Sequence, residues 1–141
     1  MLARVDLLDQ LGPLLGRAHD EHRRIAEREL AALGLRPKAL GALMVLAVEG
    51  ALTQQRLAER QGIDRTTMVA VVDELERARL VERRRNPTDR RAYALHLTAA
   101  GRSALERGRD ATARAEEAFL APLSAAERRD LKATLRRLVA R

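Results

Sequence analysis

Residues 53–101 read TQQRLAERQGIDRTTMVAVVDELERARLVERRRNPTDRRAYALHLTAAG, and their order of parts constrains the fold more than any other feature. The first part is a short helix. Thr53 is a residue type suited to an N-cap, and Gly62 tolerates the left-handed backbone at a helix end. Asp64 then stands where a second N-cap belongs, and Met68, Val71, Val72 and Leu75 follow at helical spacing. That stripe leaves Arg65, Thr66, Thr67, Val69, Ala70 and Arg77 on other faces. Val81–Arg85 and Tyr93–Leu97 read as two short strands, with Tyr93, Leu95 and Leu97 alternating onto one side. Asn86 and Pro87 between them break strands and favour turns. Helix, turn, helix and basic hairpin, in that order, suit gripping duplex DNA.

The charge agrees with a polyanionic partner. The chain of 141 residues carries a net charge of +7, and one compact domain is the natural expectation at this length. Residues 1–52 hold 7 basic and 7 acidic side chains, 53–101 hold 10 and 7, and 102–141 hold 10 and 6. The densest cluster runs from Arg83 to Arg91, with five arginines against Asp89. A solvated charged hairpin is the plain reading, but a helix-turn-helix directly precedes it. Tyr93 and Phe119 are the aromatic residues. Single-stranded nucleic-acid binders stack bases on aromatic platforms, so duplex DNA is the better match. Cysteine is absent, which excludes disulfides, thiolate metal sites and cysteine redox sensing. Arg4, Asp6 and Asp9 interrupt the N-terminal apolar residues. No signal peptide or membrane span is expected, and a cytoplasmic, nucleoid-associated protein is.

The flanks read as amphipathic helices. Across 5–34, Leu7, Leu11, Leu14, Leu15, Ala18, His22 and Ile25 fall within about 120° of arc. Pro13 kinks this helix or starts a new one after Gly12, and Gly34 ends it. Residues 37–48 are apolar nearly all round, which predicts a buried helix. Thr98 caps a long helix to about Leu120, Pro122 marks a break, and Ser124 with Glu127 forms a capping box. Leu131, Leu135 and Leu138 stripe the last helix. The terminal stripes are hard to bury within one chain. They pack on each other in a monomer or, as the preferred reading, on a second copy, since two-fold readers place two helices about 34 Å apart.

Over essentially its full length the chain resembles the MarR family of winged helix-turn-helix regulators. The most specific part is the wing, NPTDRRAYALHLTAAG at residues 86–101, with Asp-x-Arg followed by a strand ending in Leu-Thr-x-x-Gly. LAERQGIDRTTMVAVVDELE matches the paired helices more loosely. The resemblance implies a mostly α fold with a small β-hairpin wing. It divides the chain into an N-terminal dimerisation helix (1–35), a DNA-binding lobe (36–99) and C-terminal dimerisation helices (100–141). It also implies that Asp89 orients Arg91, whose guanidinium enters the minor groove, with Arg85 and Arg90 beside it on the wing. The helix from Asp64 to Arg77 enters the major groove. Arg65 is the candidate for a guanine edge, Thr66 and Thr67 for bases or phosphates, and Val69 for a thymine methyl. Gln54 and Gln55 lie at a helix start that favours phosphate.

Three positions depart from the family pattern. Val69 and Ala70 stand where Thr and Arg are frequent, so specificity leans on Arg65 and the wing. Arg79 replaces a usual Gly, where a left-handed backbone costs about 1 kcal/mol, and the boundary is expected to be built differently. Most relatives answer an aromatic or drug-like small molecule bound between the dimer helices and the DNA-binding lobe. His22, near the centre of its stripe, reads first as a core or interface histidine. A polar group in an effector pocket is the alternative, and a pH response is conceivable. Arg17 and Arg23 are either surface charge or partners of an anionic ligand. His19 and His22 have acidic neighbours that point different ways, so no metal is expected.

Other classes fit less well. No phosphate loop, Ser-His-Asp grouping or cofactor fingerprint is visible, so neither an enzyme nor a cofactor is expected. The rival is a nonspecific architectural DNA-binding protein using the same arginines. A protein-interaction module that has lost DNA binding is a third reading, and the intact wing argues against it. The preferred reading is a homodimeric repressor on an inverted-repeat operator, released by an effector.

Overall fold

The computed structural model describes residues 9–140, the side chain of Arg90 excepted. Leu7 and the expected helix start at residue 5 lie outside the described residues. Among the described residues six helices and three strands run α1 (Leu11–Ala31), α2 (Pro37–Glu49), β1 (Leu52–Thr53), α3 (Gln54–Gln61), α4 (Arg65–Arg77), β2 (Val81–Asn86), β3 (Asp89–Leu97), α5 (Ala99–Leu120) and α6 (Ala125–Val139). The strands form one antiparallel sheet in the order β1-β3-β2. The fold is thus mostly α with a small sheet, as the sequence predicts.

Local chemistry sets the element ends. The Thr53 hydroxyl accepts the Arg56 N–H at 3.2 Å, and Gly62 closes α3 at φ 61°. Asp64 Oδ1 accepts the Thr67 N–H at 2.9 Å. Thr98 accepts the N–H of Gly101, and Ser124 and Glu127 form the full capping box of α6. Each satisfies donors that a helix start leaves without partners. Pro13 falls in the first turn of α1, where its missing N–H removes no helical bond.

The core lies where α2, α3 and α4 meet the sheet and α5. Leu30, Leu43, Leu57, Met68, Val72, Leu75 and Leu95 are its most enclosed large side chains. Each comes from a stripe with the period of its own element. At roughly 1.5–3 kcal/mol per fully buried large apolar side chain, this cluster is the main stabilising force in the lobe. Two close approaches lock the neighbours on. A Cβ at Gly101 would collide with the Leu80 carbonyl, and one at Gly108 with the Leu40 side chain.

Three expectations need correction. Helix α2 is not buried all round: Ala39, Leu40, Ala42, Leu43 and Leu46 face the core, while Met44 and Val48 stand in solvent, because one chain covers only one broad side of it. The hairpin is longer than predicted, since β2 reaches Asn86 and β3 begins at Asp89, across a register shift after Arg85. The charged residues there conceal strand pairing that the backbone makes regardless of side chain. The boundary at Arg79 is not built differently: Arg79 itself takes φ 58°. Leu80 N–H reaches the Leu75 carbonyl at 2.9 Å and Arg79 N–H the Glu76 carbonyl at 2.9 Å, the paired bonds of a left-handed helix end.

Among the described residues the terminal stripes stay only partly covered. Leu11, Leu14 and Leu15 of α1 are exposed, and its described buried residues are Ala26 and Leu30. Helix α6 buries none of its residues, leaving Leu135, Leu138 and Val139 exposed. Ion pairs Arg128–Glu117 and Lys132–Glu116 tie it to α5.

Candidate nucleic-acid interface

Helix α4 presents a divided surface. Met68, Val71, Val72 and Leu75 are buried, whereas Arg65, Thr66, Val69 and Ala70 are exposed. Arg65 and Thr66 of this set sit in the first turn of α4, where the helix dipole favours an anion. Thr67 is partly withdrawn from this surface: its hydroxyl donates to Asp64 Oδ2 at 2.6 Å. That bond, the backbone bond and the nearby Lys38 hold the Asp64 carboxyl below its ordinary range. Stability from this charge is therefore present above the unfolded carboxylate range and is lost as pH falls through the lower folded value.

Between α3 and α4 lies an open cleft of about 580 Å³, lined by Gln54, Gln55, Ile63 and Arg65 among others. Gln55 donates to Glu59 at 3.2 Å. Gln54 Oε1 is enclosed and has no hydrogen-bond partner among the described residues. Gln54 and Gln55 thus flank the start of α3, but neither amide is fully presented outward.

The wing tip is two side-chain-to-backbone turns in succession. Asn86 Oδ1 accepts the Thr88 N–H at 3.0 Å and its hydroxyl at 2.8 Å. Asp89 Oδ1 accepts the Arg91 N–H at 3.0 Å. Asn and Asp make this bond to the residue two positions on and so mimic a backbone turn. The contact that Asp89 makes with Arg91 thus runs through the Arg91 backbone, whose N–H its carboxylate accepts. Arg85 and Arg91 are exposed and in no ion pair among the described residues, and the side chain of Arg90 lies outside them. The arginine cluster is unequal. Arg84 pairs with Glu82, and Arg83 reaches Glu76 at 2.8 Å and Asp73 at 3.2 Å on α4.

The three residues considered for an effector are not brought together. His22 is half-buried on α1 and meets Phe119 of α5 edge-on, with centroids 5.4 Å apart at 83°. Arg17 lies on the exposed part of α1. Arg23 alone borders a second cleft, of about 550 Å³, between α1, α2 and α4. Arg36, Lys38, Thr66 and Thr67 also border it. Arg36 donates through Nε to Glu74 of α4 at 3.1 Å. Sequence reading missed Arg36 and Lys38, because they flank a helix start and carry no periodic signal. Among the described residues no cluster of His, Asp and Glu could hold a metal, and no helix is long and apolar enough to cross a membrane.

Comparison with known proteins gives this arrangement its relatives. The MarR family model matches residues 33–92, which span α2 to the wing. A putative transcriptional regulatory protein for the hcr operon of Thauera aromatica is 40% identical over 116 residues, covering 82% of this chain and 70% of that protein. The crystal structure of a probable transcriptional regulator from Pseudomonas aeruginosa superposes with a TM-score of 0.80 at 32% identity, covering 93% of this chain and 98% of the other. A Mycobacterium tuberculosis MarR family protein in complex with DNA gives 0.81 at 28% identity, covering 92% and 98%. With the wing motif, the capped helix pair and these relatives in agreement, the chain belongs to the MarR family of transcriptional regulators.

Proposed function

We propose that the protein is a homodimeric, sequence-specific repressor that binds an inverted-repeat operator in duplex DNA and is released by a small anionic aromatic effector. The observation that carries this reading is the split of α4. Its apolar stripe is buried, and Arg65, Thr66 and Val69 are left to solvent, beside a wing whose Arg85 and Arg91 lie outside every ion pair of the described residues. In this reading Arg65 contacts a guanine edge, Val69 a thymine methyl, and Arg91 the minor groove. The first turn of α3, with Gln54 and Gln55, takes phosphate. The crystallisation of the similar Mycobacterium tuberculosis protein with DNA supports the duplex-binding part of this reading.

The effector is assigned to the cleft bordered by Arg23, Arg36 and Lys38. Its volume suits a single-ring acid, and the Mycobacterium tuberculosis protein was also crystallised with salicylic acid. Because Thr66, Thr67 and Ala70 of α4 form one wall, a ligand there acts directly on the reading helix. It need only favour the non-binding geometry by a few kcal/mol.

The test is selection from a randomised duplex library by purified protein at moderate salt. Enrichment of a short inverted repeat is the expected result. Arg65→Ala should then lose about 1–3 kcal/mol of discrimination at one base pair of each half-site. Arg91→Ala should lose preference in the A·T-rich flank. Uniform recovery of all sequences would favour architectural binding and sink the specific reading.

A further inference from the structure

Arg83 stands in the middle of the basic wing, yet its geometry separates it from the arginines around it. On β2 it opposes Leu95 of β3, whose side chain is buried. Residues opposed in an antiparallel pair share a face, so Arg83 points to the core side of the sheet. There its Nε donates to Glu76 at 2.8 Å and its Nη2 to Asp73 at 3.2 Å. The two carboxylates lie three residues apart on α4 and so share one helix face. The fork of the guanidinium meets both at once, a fit that a single ammonium does not reproduce. Among the described residues no other ion pair joins the hairpin to α4.

We propose that Arg83 is a positioning residue, a two-pronged brace that fixes the wing against the recognition helix, and that Asp73 and Glu76 serve DNA binding although both are acidic. The inference rests on the DNA-reading role proposed above. Wing and α4 must meet their grooves together, and a misplacement between them sacrifices contacts on one side or the other. Arg83 also screens two carboxylates that would otherwise repel phosphate. Its role is opposite in kind to that of Arg85 and Arg91, which have no such partners among the described residues.

A phosphate contact and a brace give opposite signs on one substitution. Removing a carboxylate from a DNA-binding surface ordinarily tightens binding to any duplex. Here Asp73→Ala with Glu76→Ala should weaken binding to the duplex selected by the wild type by about three- to tenfold. Binding to a scrambled duplex should be unchanged or tighter. Arg83→Met should give a similar loss on the selected duplex, and the triple variant should be no worse than Arg83→Met alone. Arg83→Lys should recover part of the loss. The slope of log affinity against log salt should be the same for Arg83→Met as for the wild type. In free protein, amide exchange at the wing should accelerate to the same degree in the arginine and carboxylate variants. A salt slope lowered by about 0.9, the share of one phosphate, would overturn the proposal. So would a carboxylate variant that tightens both duplexes without altering wing exchange, or an Arg83→Met protein that binds like the wild type. A wild type that selects no sequence overturns the DNA reading itself and the brace with it, and that failure is visible before any variant is made.

Discussion

Arg79 holds a left-handed backbone at φ 58°, which an L side chain with a Cβ adopts at a cost of about 1–2 kcal/mol. The cost is tolerated because the neighbouring bonds fix the turn. Leu80 N–H closes onto the Leu75 carbonyl, and the Thr98 hydroxyl donates to the Arg79 carbonyl at 2.8 Å. The Arg79 side chain is exposed and in no ion pair among the described residues. Arg79→Gly should therefore stabilise the fold by roughly 0.5–1 kcal/mol, the strain relieved less the greater entropy of an unfolded glycine. The midpoint of urea unfolding measures it, and a destabilised variant would show that the arginine has a packing role. The strained position was legible in the sequence as a departure from a usual Gly. The outcome was not, because whether strain is relieved or endured depends on bonds from Leu75, Glu76 and Thr98.

At the scale of elements, the joint between sheet and α5 is the tightest in the lobe. The Leu80 carbonyl accepts the Thr98 N–H at 3.1 Å, and Gly101 lies against the same carbonyl with no room for a Cβ. This gives the Leu-Thr-x-x-Gly end of the wing motif a physical reason: the Leu97 side chain packs beside the joint, Thr98 caps the helix, and Gly101 lets the chains touch. Gly101→Ala should destabilise by about 1–3 kcal/mol, the usual cost of overpacking, despite the better helix propensity of alanine. Thermal unfolding of the two proteins checks this, and an unchanged midpoint would mean the backbone yields freely. Helices were well legible because caps and apolar periods agreed, as at Thr53, Asp64, Thr98 and Ser124. Strand β1 was not, since Leu52 and Thr53 are too short a run to carry a period and pair only through β3. The site divides in the same way. The exposed face of α4 followed from periodicity, whereas the use of Asp89 on backbone and the capture of Arg83 by α4 depend on contacts that no spacing encodes.

For the whole molecule, uncovered apolar side chains gather on α1 and α6. Leu11, Leu14 and Leu15 on one, with Leu135, Leu138 and Val139 on the other, are more than a solitary chain has reason to expose together. A second copy covering them would also set two α4 helices at a fixed spacing, and the cleft beside Arg36 would connect that shared frame to α4. Leu135→Glu with Leu138→Glu changes two side chains that the single chain leaves in the exposed class. The variant should therefore keep its helical signal and its thermal transition within the chain. Its sedimentation mass should fall to that of one copy. Affinity for a two-half-site duplex should drop about a hundredfold or more, because the second half-site no longer gains from the first. Binding to one half-site should change little. A variant that sediments and binds like the wild type would sink this assembly, and would direct attention to Met44 and Val48, the exposed apolar residues of α2.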